Sequence, residues 1–289
     1  MTTTTATHRG FWYRHPGLRL GGLLTAPMAW LVVVYLGSLA ALFLTAFYQI
    51  DDFTGQVVKT FTLKNFTTLF TTSAYYESVF RTISIALLVT VLCLVIALPL
   101  AFFMARVAPR HWRPLMVALV LTPLWASYLV KVYAWRAMLQ PESGVLAWFL
   151  NPLGLDGPGY GYLGIVITLT YLWLPYMILP IYAGLTRLPD SMLDASADLG
   201  AHSGRTFRSV VVPLIFPSVV AGSIFTFSLS LGDYITAQIV GGKVTMLGNV
   251  VQQTYVTNLP FAAAVATLPV VIIVLYLLAV RKSGALENV

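Results

Sequence analysis

The chain has 289 residues, of which 58% are hydrophobic and 9% are charged. A soluble domain of this length would carry roughly 72 charged side chains; this one has 17 basic and 10 acidic residues. That is too few to clothe a water-facing surface, which argues against a soluble enzyme, a disordered tail or a fibre. The net charge of +7 is scattered, with no basic stripe interleaved with stacking aromatics, so no nucleic-acid partner is expected.

A Thr-rich start, residues 1–7, reads as disordered within an N-terminal tail, 1–20, that carries Arg9, Arg14 and Arg19. Long uncharged windows follow: Arg19 to Asp51, Arg81 to Arg106, Arg113 to Lys131, Asp156 to Arg187, Arg208 to Asp233 and Lys243 to Arg281. A bilayer core takes roughly 20 apolar helical residues, and lipid leaves no alternative partner for backbone polar groups, so each window predicts a helix. The expected crossings are 23–47, 79–105, 115–139, 161–185, 210–232 and 261–280. The fold class is therefore an all-α polytopic membrane protein with six transmembrane helices. The membrane domain covers 21–282, and a short C-terminal tail covers 283–289. The first window is too long for a cleavable secretory signal and is expected to stay.

Lys and Arg set the orientation. Eleven lie in the tail, the second-to-third loop (Arg106, Arg110, Arg113), the fourth-to-fifth loop (Arg187, Arg205, Arg208) and the C-terminus (Arg281, Lys282). The opposite loops hold three, Lys59, Lys64 and Lys243. This bias predicts both termini in the cytoplasm. Outer segments then cover about 48–78, 140–160 and 233–260, and Asn65-Phe66-Thr67 fits the glycosylation pattern there. The single cysteine, Cys93, rules out a disulfide within the chain and reads as a small buried hydrophobe.

Eight of the 16 prolines fall inside the expected crossings: Pro27, Pro99, Pro123, Pro175, Pro180, Pro213, Pro217 and Pro269. Each removes a backbone donor, which suits either a pathway that opens and closes or irregular packing. Between the fourth and fifth crossings, LPDSMLDASADLGAHSGRTFRSVVV predicts a helical hairpin. Pro189 and Asp190 suit a helix start, Ser191 with Asp194 forms a weak capping box, and Gly200 can stop the helix in a left-handed conformation. Asp190, Asp194 and Asp198 recur every four residues, a repulsion that a basic partner surface would relieve.

Asp194-Ala195-Ser196, then Gly200, then Val212-Pro213 resembles the signature of ABC importer permeases of the binding-protein-dependent type. That signature reads Glu-Ala-Ala, three residues, Gly, and later an aliphatic-Pro pair. Asp194 stands in place of Glu and Ser196 in place of Ala. The run DASADLGAHSGRTFRSVVVPLIFPSVVAG, with PLWASYLVKVYAW, YLWLPYMILPIYAGL and SLGDYITAQIVGG, is similar to the first permease subunit of spermidine/putrescine transporters. The resemblance covers residues 20–282. It implies a bacterial inner-membrane permease that pairs with a second permease subunit, two cytoplasmic ATPase subunits and an extracytoplasmic solute-binding protein. It also implies that 187–209 is a coupling loop seated in an ATPase cleft, with Asp194, Ala195, Ser196, Asp198, Gly200 and, beyond the loop, Pro213 as the ATPase-coupling residues. ATP and Mg would then sit on the ATPase subunits. This chain has no Gly-x-x-x-x-Gly-Lys-Ser/Thr sequence, and Gly241-Gly242-Lys243 reads as a turn. No catalytic, cofactor or metal site is expected on it: His8, His15, His111 and His202 lack partners at ligand spacing.

Ionisable residues inside a membrane are candidates for function. Lys131 lies roughly 12 Å from the outer end of its crossing, at 1.5 Å per residue. It would repel a polycation, so it is expected to pair with an acid. Arg136 lies nearer the surface, and Glu77 with Arg81 is spaced to pair. Asp233 ends the fifth crossing. It is read as a cation-recognition or gating group, as a partner of Lys131 or Arg136, or as a solvated helix end. A carboxylate beside Tyr234, Trp173 or Tyr176 would suit an alkylammonium, which is drawn to aromatic faces. Packing is the alternative role for the two fourth-crossing aromatics. A different small solute, a membrane-embedded enzyme or an assembly protein are the competing functions.

Overall fold

The apolar windows fold as helices along the whole described chain, residues 16–51 and 53–282 of the computed structural model. The expected disorder of 1–7, the charges Arg9, Arg14 and Asp52, and the tail 283–289 lie outside the described residues. Helix α1 runs Pro16–Trp30, passes through π-helical Leu31–Leu36 and ends at Gly37–Thr45. A two-residue hairpin follows, β1 (Gln49–Ile50) against β2 (Val57–Val58), with Gln49 opposite Val58 and Ile50 opposite Val57. Its turn is closed by Asp51, whose carboxylate accepts the Phe53 and Thr54 N–H groups; those bonds, Thr54 first, lower its pKa.

Next come α2 (Lys64–Thr71) and α3 (Ser73–Phe102), which ends in π-helical Phe103–Val107. The third window contains α4 (Arg113–Trp125) and α5 (Tyr128–Met138), then α6 (Val145–Leu150). Helix α7 (Tyr162–Arg187) leads to α8 (Asp190–Asp198) and the single turn α9 (Ser203–Thr206). A π-helical stretch, Phe207–Val211, joins α9 to α10 (Val212–Leu231). Pro213 lacks the N–H that would bond the Ser209 carbonyl, at the middle of that stretch. Two short helices, α11 (Ile235–Val240) and α12 (Leu247–Thr254), precede α13 (Leu259–Lys282).

The third crossing differs from expectation. Residues 115–139 do not form one helix: α4 and α5 meet at 92°, with Ala126 and Ser127 in extended conformation. Pro123 leaves the last turn of α4 one hydrogen bond short, and the chain turns just beyond it. The pair still counts as one crossing. The end of α3 meets the end of α7 through Arg106 and the Leu185 and Leu188 carbonyls. The starts of both helices meet the segment after α10, through Leu247 N–H to Thr82 and Gly161 N–H to the Val240 carbonyl. Both α3 and α7 therefore run the same way, and the chain between them has to return through α4 and α5. With five further apolar helices among the described residues, the broken pair brings the crossings there to six, and the protein is an all-α polytopic membrane protein.

The core is the α3–α7–α10 triad. Ile85, Val89 and Cys93 of α3, Leu169, Leu172, Met177 and Ile181 of α7 and Ile215 of α10 are buried in one cluster. Cys93 is fully buried there. A second cluster, with Leu69, Val79, Leu247, Val250, Phe261 and Val265, ties α2, α12 and α13 to the start of α3. By contrast, the apolar stretch of α1 buries none of its window; it meets the bundle only near its end, where Ala46 packs on Ala263 and Ala264. Asn65 is not a free glycan acceptor: it is buried, and its amide donates to the Ala46 and Tyr48 carbonyls at 2.9 and 2.8 Å, closing the end of α1.

Hydrophobic attraction between helices is weak in lipid, so small residues that let backbones approach set the packing. Ser218, Gly222 and Thr226 recur every four residues on α10. A Cβ at Gly222 would sit 2.8 Å from Met177 Sδ and 3.2 Å from Met177 Cα, and one at Gly184 of α7 would sit 2.8 Å from Ser218 Cβ. The seam therefore closes at backbone distance. Gly222→Val is expected to destabilise the bundle by about 1–3 kcal/mol, the usual cost of overpacking. A lowered melting temperature of the purified protein would register it, and an unchanged one would mean that the seam relaxes.

Candidate functional site

Two constellations stand at opposite ends of the core. The first is α8. Leu188 and Pro189 are extended (ψ 124° and 137°), so the chain leaves α7 and turns before restarting as a helix at Asp190. The expected Ser191–Asp194 capping box does not form. Pro189 occupies the cap position without a side-chain bond, which puts Ser191 inside the first turn rather than ahead of it. At the other end Gly200 takes φ +77°. Its N–H bonds the Ala197 carbonyl at 2.8 Å and the Ala201 N–H bonds the Ser196 carbonyl at 3.1 Å. This paired closure uses the carbonyls that a helix end leaves over, and a left-handed residue makes it possible.

One side of α8 is fastened to the bundle. Ser196 is buried and shares a hydrogen bond of 2.9 Å with Thr206, so the serine that replaces alanine in the signature ties the hairpin together. Leu193 packs on the core. A cavity of about 240 Å³ beneath α8 is lined by Phe102, Arg106, Leu193, Ala197, Thr206 and Phe207, among others. The other side faces out: Asp194, Ala195 and Asp198 are exposed, beside Met192 and an 89%-exposed Leu199. Of the three aspartates at four-residue spacing, Asp190 has a partner, Arg106, at 2.5 Å. Pro213 lies apart from α8, in the wall of a cavity of about 520 Å³ between α7 and α10 that Pro180, Pro189 and Pro217 also line.

The second constellation surrounds Asp233, which is only 7% exposed. Its Oδ1 accepts the Thr236 N–H at 2.8 Å, which caps α11, and its Oδ2 accepts Thr236 Oγ1 at 3.2 Å. Tyr128 Oη donates to the same Oδ2 and lies 2.7 Å from Thr236 Oγ1. From Tyr128 an aromatic row leads inward. Its ring stacks on Trp173 (6.1 Å), Trp173 meets Tyr176 edge-on (5.9 Å), and Tyr176 meets Phe225 (6.5 Å). Among the described residues Trp173 Nε1 and Ser230 Oγ are buried without a hydrogen-bond partner, and Ser230 O accepts the Asp233 N–H at 3.4 Å.

The structure thus links Asp233 to Trp173 and then Tyr176 through Tyr128. Tyr234 stands outside the row: it is partly exposed, its carbonyl accepts the Asn249 amide at 2.9 Å, and its Cβ needs the missing side chain of Gly248. Tyr128 and Thr236 were not foreseen. Tyr128 meets Asp233 across 105 residues, which no local pattern marks, whereas Thr236 follows Asp233 by three, a spacing that suits a helix start.

The expected charge pairs resolve differently. Glu77 and Arg81 approach to 3.9 Å, and Arg81 also donates to the Thr245 carbonyl at 3.3 Å. Lys131 has no acid partner among the described residues. Arg136 likewise pairs with no acid there. It donates to the Ile239 carbonyl at 3.1 Å, near the end of α11 where a helix dipole favours a cation, and lies over the Tyr160 ring at 5.6 Å.

Comparison with known proteins fits this layout. The family model described as "Binding-protein-dependent transport system inner membrane component" matches residues 97–282. The chain is 44% identical over 295 residues to the inner membrane ABC transporter permease protein YdcU of Escherichia coli (strain K12), covering 96% of this chain and 94% of that protein. It is 32% identical over 269 residues to the spermidine/putrescine transport system permease protein PotB of the same organism, covering 90% and 96%. In fold it matches a chain of a bacterial alginate ABC transporter in complex with its alginate pentasaccharide-bound periplasmic protein, with a TM-score of 0.71, 13% identity and coverage of 92% and 95%. It also matches a chain of the MetNI methionine ABC transporter, with a TM-score of 0.56, 19% identity and coverage of 72% and 93%. The chain belongs to the family of binding-protein-dependent transport system inner membrane components and is a membrane permease subunit of an ABC-type importer.

Proposed function

We propose that this permease carries polyamines, spermidine or putrescine, inward across the bacterial inner membrane. In this reading an extracytoplasmic binding protein delivers the solute, and two ATPase subunits holding ATP and Mg supply the energy. The path is shared with a second permease subunit. Both termini and the loop 187–209 face the cytoplasm, in keeping with the excess of Lys and Arg on that side. The exposed face of α8, with Asp194, Ala195, Asp198 and Leu199, seats in the ATPase, while Ser196 and Gly200 hold its shape.

The observation that carries the solute assignment is the buried Asp233 carboxylate at the head of the Tyr128–Trp173–Tyr176 row. A carboxylate followed by aromatic faces offers an alkylammonium both charge pairing and attraction to π-electrons. The bend at Ala126–Ser127, next to Tyr128, supports a path here, since non-helical backbone at membrane depth belongs where protein or a water-filled cavity covers it. Trp173, within the row, also holds a buried indole N–H that has no hydrogen-bond partner among the described residues. The similarity to PotB supports the same solute class.

Deletion of the gene tests this reading. Uptake of radiolabelled spermidine or putrescine is expected to fall to background and to return with a plasmid copy. Undiminished uptake of both would assign the permease to another small organic solute.

A further inference from the structure

We propose that Arg106 is a positioning residue that carries movement between α8 and the crossing helices, an inference that rests on the reading of α8 as the ATPase seat. Its guanidinium joins the end of α3 to one stretch 79 to 84 residues further on, from the last turn of α7 to the start of α8. It stands in the π-helical end of α3. Its Nη2 donates to the Leu185 and Leu188 carbonyls at 2.7 and 2.6 Å, and its Nη1 donates to Asp190 Oδ1 at 2.5 Å. The two carbonyls lie at the end of α7, where a helix has no backbone donors left to give them. Asp190 is the first residue of α8.

The clamp is uneven, and that is the argument for a moving part rather than a plain staple. The Arg106 side chain is 16% exposed, whereas that of Asp190 is 76% exposed. On the buried side, release would strand carbonyls and a charge away from water, so the Arg stays with α7. On the Asp190 side, an exposed ion pair has little net strength and can open and reform. The extended Leu188–Pro189 link between them leaves α8 free to tilt about this point. Force on α8 then reaches α3 and α7 together through one planar group. Lysine, a point charge without the fork, cannot bridge the same three acceptors.

The test uses the full transporter, purified with its ATPase and permease partners and reconstituted in lipid vesicles. Arg106→Lys, Arg106→Gln and Asp190→Asn are compared for basal ATPase, for stimulation by loaded binding protein, and for solute taken up per ATP. The Arg106 variants are expected to assemble with ordinary basal ATPase. Arg106→Gln should lose about tenfold in uptake per ATP, the equivalent of one charge-assisted hydrogen bond. Arg106→Lys should recover part of that ratio, and Asp190→Asn should shift it in the same direction. If Arg106→Gln fails to assemble, Asp190→Asn alone decides, since it alters only the exposed partner. Unchanged stimulation and uptake per ATP in Asp190→Asn, or in assembled Arg106→Gln, would overturn the proposal. Failure of the wild-type chain to bind any ATPase through α8 would instead remove the reading beneath it.

Discussion

Gly200→Pro is expected to abolish solute uptake while leaving the chain inserted in the membrane at ordinary levels. Proline holds φ near −65° and has no N–H, whereas this position needs φ +77° and donates to the Ala197 carbonyl. Both parts of the helix closure fail together, at a cost of about 3 kcal/mol or more. The damage stays local because Gly200 is exposed and a Cβ there meets nothing within 4 Å. A milder variant grades the effect. Gly200→Ala keeps the N–H and suffers only the left-handed penalty, about 1–2 kcal/mol, so its uptake should lie between wild type and Gly200→Pro. The checks are transport by whole cells beside the amount of chain in isolated membranes. Ordinary uptake by Gly200→Pro would remove α8 from the transport cycle.

The second large effect is expected at Asp233, where two substitutions separate charge from structure. Asp233→Ala strips the acceptor from Tyr128 Oη and from the Thr236 N–H and hydroxyl. Leaving buried donors unpaired costs about 1–3 kcal/mol for each, so this variant should be scarce or thermally weak. Asp233→Asn keeps a carbonyl acceptor for the α11 cap and loses the negative charge. It should fold, and its apparent KM for spermidine should rise by about tenfold or more, from the loss of one charged contact. A folded Asp233→Asn with unchanged KM would reduce Asp233 to a helix cap.

What could be read in advance depended on range. The crossings were legible because an apolar run of that length fits little besides a helix threaded through lipid. The closure at Gly200 was legible because a left-handed turn asks for one residue type at one place. The break at Ala126–Ser127 was not, since its neighbour Pro123 looks like Pro99, Pro175, Pro180 and Pro269, which sit within continuous helices. The misplaced capping box at Ser191 arose because Pro189, two residues earlier, serves as the boundary. Tyr128 and Arg106 were hidden for another reason. Tyr128 meets Asp233 across 105 residues and Arg106 meets Asp190 across 84. No spacing within a helix turn encodes such a meeting; it exists only once the bundle has formed. Arg106 was counted for its charge, and its three acceptors came from the fold.

The seam at Gly184, Ser218 and Gly222 also constrains how such a machine is able to work. Helices that touch backbone to backbone cannot slide or separate without losing most of their dispersion contact. They are therefore expected to tilt as a single beam, so that opening a passage rearranges the faces around this joint and leaves the joint itself closed.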